Sequence, residues 1–181
     1  MVKKHFHTII VFLMPFAIFL VSCNPFAPGL DDSSGESSSS WSDQKKIDGV
    51  FQNFAYAYTY GYTSHDTTYY GQLLDGNFTF VYPDYDRGGV EVSWGRDEEM
   101  RTAYGLFHSV QRLDLVWNSI IDSSSTDSYT TDASISRGFD LTVTFNASDI
   151  VSVNGYASLQ LVRQGTQYTW MIVRWHDDSN H

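Results

Sequence analysis

Ile135-Ser136-Arg137-Gly138-Phe139-Asp140-Leu141-Thr142-Val143-Thr144-Phe145 alternates apolar and polar side chains for almost its whole length. That is the period of a strand with one face in a core and the other toward water. The same alternation precedes it at Leu113, Leu115 and Trp117, and follows it at Ala157, Leu159 and Leu161, then at Tyr168, Trp170 and Ile172. Four such strands in succession predict a meander of antiparallel sheet. Arg137 shares the parity of Ile135, Phe139 and Leu141, and Arg174 that of Trp170 and Ile172, so both guanidinium groups are expected to point inward. Each then needs an acidic partner or anionic ligand, or reaches solvent along its stem.

Upstream, the period changes. Ile47, Val50, Phe51, Phe54, Ala55 and Tyr58 follow helical spacing, with Ser42 as a possible N-cap and an end between Tyr58 and Gly61. Asp66, Tyr69, Tyr70, Leu73 and Leu74 read as a second short helix leaving through Asp75-Gly76-Asn77. Phe78, Phe80 and Tyr82 alternate up to the turn-rich Pro83-Asp84-Tyr85-Asp86-Arg87-Gly88-Gly89, and Val90 to Val92 returns, which predicts a hairpin. Asp97, Glu98 and Glu99 place negative charge at the start of a third helix carrying Met100, Ala103, Tyr104 and Phe107.

Helix, helix, hairpin, helix and four strands define an α+β domain: a curved antiparallel sheet with about three helices from the first half packed on its concave face. The long first helix, the His65-Asp66 step, the strand Phe78-Thr79-Phe80, Trp94-Gly95-Arg96-Asp97-Glu98-Glu99 and the last strand Trp170 to Asp177 resemble the nuclear-transport-factor-2-like superfamily. That cone-shaped fold is shared by ketosteroid isomerase and the polyketide cyclases. A lipocalin-like barrel, with eight even strands, does not suit the helical first half. The resemblance implies a pocket in which a carboxylate or histidine moves a proton and a tyrosine steadies an oxyanion. Asp66, His65, Tyr58 and Tyr62 lie in the segment whose counterparts often line that pocket. Alternatively, Asp66 caps the second helix, His65 faces water and the tyrosines pack with their hydroxyls at the rim.

The amino terminus carries its own signal. Lys3 and Lys4 precede an uncharged run from Ile9 to Val21, the pattern of a signal peptide over residues 1–22. A helix over that run would reach about 20 Å, short of the roughly 30 Å hydrocarbon core. Leu20-Val21-Ser22-Cys23 resembles the bacterial lipobox, which implies that Cys23 is lipidated and becomes the first residue; the alternative is an ordinary secretory signal with an incidental cysteine. Residues 23–42, rich in Ser, Gly and Pro, read as a tether spanning roughly 25 Å. Residues 43–181 then form the domain. Asn24 after the cysteine is not the aspartate that resembles inner-membrane retention, so the expected location is the bacterial cell envelope, on the outer membrane facing the periplasm rather than the inner membrane.

Cys23 is the only cysteine, so no intramolecular disulfide can form. Two of the 11 basic residues, Lys3 and Lys4, lie in the signal segment, leaving 9 against 21 acidic residues and a net charge of −12. Nucleic acid is excluded as a partner, and the acidity reads as solubility rather than as a sign of a cationic substrate. His65, His108, His176 and His181 have no ligand spacing, Asp84 to Gly95 fails as a calcium loop because Arg87 stands in it, and no phosphate loop or nucleophile elbow occurs. No metal or cofactor is expected.

Trp94, Trp117, Trp170 and Trp175 could stack a flat ligand, although core packing is the simpler reading. The expected pocket residues are Trp94, Arg137, Trp170 and Arg174. The function expected is a membrane-anchored, non-catalytic domain binding a small apolar ligand or a partner protein. The alternatives are an isomerase- or dehydratase-like enzyme using Asp66 or His65 with a tyrosine, and an envelope scaffold that self-associates as a homodimer through its sheet face.

Overall fold

A computed structural model of the chain describes residues 40–124 and 130–177. The chain divides into Met1–Ser34 and Gly35–His181, and every described residue belongs to the second unit. The expected signal segment 1–22, Cys23 and the expected tether as far as residue 39 lie outside the described residues.

The elements are α1 (Ile47–Ser64), α2 (Thr68–Leu73), β1 (Leu74–Asp84), β2 (Val90–Gly95), α3 (Arg96–Ser109), β3 (Arg112–Ser124), β4 (Asp132–Asn146), β5 (Asp149–Val162) and β6 (Met171–Asp177). One six-stranded sheet has the order β2-β1-β6-β5-β4-β3. The meander β3 to β6 is antiparallel throughout, as the alternation predicts. The sheet as a whole is mixed, because β1 inserts beside β6 in parallel. That pairing also explains why Asp75-Gly76-Asn77 is strand instead of a helix exit: Leu74 already pairs with Ile172, and the β1–β6 register shifts between Leu74 and Thr79.

α1 packs on β3 and on α2, and α3 packs on β1. Val50, Phe51, Phe54, Ala57 and Tyr58 form the buried stripe of α1, and Leu113, Ile135, Leu159 and Ile172 meet them from the sheet in one continuous core. α1 runs past its expected end to Ser64, because Gly61 lets the helix approach the buried Phe107 ring of α3, where a Cβ would stand 2.3 Å from a ring carbon. It stops at His65, whose φ of 53° is left-handed.

Ser42 is not the cap of α1. Lys46 precedes the helix without a capping side chain. Ser42 belongs instead to a clamp on the chain entering the domain: its N–H donates to Asn53 Oδ1 (2.6 Å), Asn53 Nδ2 donates to Ser42 O and Gln44 Oε1, and Gln44 Nε2 donates to Trp170 O. Trp41 packs its ring on Tyr56 and Tyr69.

Candidate ligand-binding cavity

A cavity of about 280 Å³ opens between the helices and the sheet, near the small end of the roughly 300–1,000 Å³ typical of ligand pockets. α1 contributes Phe54 and Tyr58, and α3 contributes Glu99 and Thr102. The sheet contributes Phe80, Trp94, Trp117, Phe139, Trp175 and Asp177, with Leu115, Leu141 and Val153. Strand register builds the aromatic wall. Phe80 pairs with Trp94 on β2 and with Trp175 on β6, so three rings cross three neighbouring strands in one row, with Phe80 stacked on Trp94 at 4.5 Å.

Few polar groups reach this wall. Glu99 is 6% exposed, and its two carboxylate oxygens accept hydrogen bonds from Tyr70 Oη (2.6 Å) and Trp94 Nε1 (2.7 Å). Burial, reinforced by the negative charges of Glu99 and Asp177, pushes the Tyr58 phenol far above its ordinary value of 10.0, so it remains a proton donor. Tyr70 is raised for the same first reason, with Glu99 and Tyr58 adding to it. The indole N–H groups of Trp117 and Trp175 are buried and have no hydrogen-bond partner among the described residues. Both indoles stand edge-to-face with Phe54.

The expected site residues divide sharply. Tyr58 and Trp94 line the cavity. Tyr62 packs against the core without lining it. His65 is exposed, with Nδ1 3.0 Å from the Phe107 carbonyl and its ring beside His108. The Asp66 carboxylate accepts from the Thr68 N–H and hydroxyl in the first turn of α2, and those bonds hold it below the usual carboxylate range. Arg137 does turn inward, but its guanidinium lies over the Phe51 ring at 4.9 Å and donates to Asn118 O. Burial lowers its pKa, and nearby Asp48 opposes the shift. Trp170 lies under Arg163 at 4.3 Å, away from the cavity.

Arg174 corrects a parity argument. Register shifts between Gln160 and Leu161, leaving Val173 as an extra residue between Arg174, which pairs with Gln160, and Ile172, which pairs with Leu161. The bulge turns Arg174 to the outer face with Gln160 and turns Trp175 inward beside Leu159. Glu99 has the opposite history: its place at a helix start hides that Glu99, Ala103 and Phe107 are spaced by four and form the buried stripe of α3. An acid on an apolar stripe is the signal that reveals it. Among the described residues no group of three metal-ligating side chains occurs, and no helix is long and apolar enough to cross a membrane.

Removing the Glu99 side chain strands the buried Tyr70 hydroxyl and the half-buried Trp94 indole N–H. Glu99→Ala is expected to cost about 2–6 kcal/mol, at roughly 1–3 kcal/mol for each of the two orphaned groups, whereas Glu99→Gln, which keeps one acceptor, costs less. Urea denaturation of both variants measures the difference.

No family model matches the chain, and a comparison with curated proteins finds no match. Solved structures do resemble it. A protein from Kribbella flavida is 12% identical with a TM-score of 0.58, covering 77% of this chain and 91% of its own. A conserved protein from Planctomyces limnophilus is 12% identical with a TM-score of 0.56, covering 74% of this chain and 96% of its own. An uncharacterised protein with a cystatin-like fold from Caulobacter vibrioides is 10% identical with a TM-score of 0.50, covering 73% and 88%. At such identities the likeness is one of fold. The domain is α+β, a six-stranded mixed sheet with three helices among the described residues, consistent with the nuclear-transport-factor-2-like cone fold, and an aromatic cavity lies between its helices and sheet.

Proposed function

We propose that this chain is a bacterial lipoprotein, held in the envelope by lipid on Cys23, whose domain binds a small, largely apolar ligand without transforming it. Asn24 favours the outer membrane, facing the periplasm. The observation that carries the binding role is the cavity itself, preformed and walled by aromatic rings from five strands and α1. Two buried indole donors at that wall have no partner among the described residues, so a ligand that is apolar for most of its surface would carry an acceptor toward them.

The acid–base alternative loses its named base. Asp66 is held by Thr68 and His65 is exposed, and neither lines the cavity. Glu99, which does, is held in the wall by hydrogen bonds from Tyr70 and Trp94.

Native mass spectrometry of the full-length chain, purified from its own membranes in maltoside micelles, is expected to show a population heavier than the lipidated chain by one small molecule. A chain found only at its bare lipidated mass contradicts the binding role.

A further inference from the structure

The cavity carries charge of one sign. Glu99 and Asp177 line it, and no Lys, Arg or His does. Both hydrogen bonds to the Glu99 carboxylate come from neutral groups, a phenol and an indole, so they solvate its charge without cancelling it. A carboxylate withdrawn from water is stabilised most by a cation at close range.

The rings point to the same chemistry. Phe54, Tyr58, Phe80, Trp94, Trp117 and Trp175 bound the space together with Phe139. Aromatic faces carry negative quadrupole potential, and several rings turned about one volume attract a cation while still burying its methyl or methylene groups. The Tyr58 phenol senses the same field, with Glu99 and Asp177 both adding to the effect of burial.

Resting on the binding role given above, we propose that the ligand is a small organic cation, an amine or quaternary ammonium group on a compact apolar body. Its charge sits against Glu99 and Asp177 and its carbons against the tryptophans. A carboxylate or phosphate ligand would meet the like charge of Glu99 and Asp177 in a lining that includes no Lys, Arg or His.

Phenyltrimethylammonium and its uncharged carbon isostere, tert-butylbenzene, have nearly the same shape and differ in charge. Calorimetric titration of the full-length chain in maltoside micelles is expected to show the ammonium compound binding at least about tenfold more tightly. Glu99→Gln and Asp177→Asn, each first shown to be folded by circular dichroism, are expected to narrow that ratio. Equal binding of the two compounds, or tighter binding of the neutral one, overturns the cationic ligand while leaving an apolar binding site intact. Binding of neither overturns both readings. The isostere comparison is made on the unaltered chain, so it decides the matter even where a variant fails to fold.

Discussion

Phe54→Ala is expected to remove about 3–5 kcal/mol of folding stability, read as a large fall in the urea midpoint, against a total of about 5–15 kcal/mol for an ordinary domain. Phe54 is 1% exposed, and four rings surround it: Tyr58 at 5.1 Å, Tyr70 at 5.5 Å, Trp117 at 5.4 Å and Trp175 at 5.2 Å. Two of these lie on the helices and two on the sheet, so truncation loosens the joint between the layers. The void would merge with the adjacent cavity, and the surrounding strands cannot close over it. A loss below about 1 kcal/mol, at the level of a surface substitution, would mean that α1 is not seated on the sheet in this way.

Cys23→Ser is expected to move the protein from the membrane fraction to the soluble fraction and to abolish incorporation of labelled fatty acid. Each buried methylene contributes about 0.8 kcal/mol, so two or three acyl chains hold a protein where one is marginal. With a net charge of −12 over residues 23–181, adsorption to anionic lipid is no substitute. A serine variant that stays in the membrane fraction would show that another element anchors the chain.

The sheet was legible because its strands keep one face in the core, and a period of two survives wherever that holds. β3, β4 and β5 follow it in their paired stretches, with Leu113 opposite Val143 and Ile135 opposite Leu159. Where pairing is irregular, the pattern misleads. The bulge at Val173 reverses Arg174 and brings Trp175 into the cavity, and no residue type in Ile172-Val173-Arg174-Trp175 announces it. The parallel β1–β6 pair was hidden for a different reason. It joins segments almost a hundred residues apart, and Asp75-Gly76-Asn77 has the local chemistry of a turn, so long-range pairing overrides local preference there.

The site was less legible than the fold. Tyr58 and Trp94 were recognisable as aromatic residues on elements that face one another. Glu99 and Asp177 were not, since acids near element ends read as solvent-facing, and only the assembled α3 stripe and β6 register bring them to the same wall. His65 and Asp66, the conspicuous polar pair in the sequence, serve the turn between α1 and α2 instead.

A crystal structure of the full-length chain taken from its own membranes, without added ligand, addresses the binding role at its source. Density for one compact molecule between Trp94, Trp117 and Trp175, close to Glu99, is the expected result. A cavity closed by the protein's own side chains, with those three rings packed against one another, would contradict it.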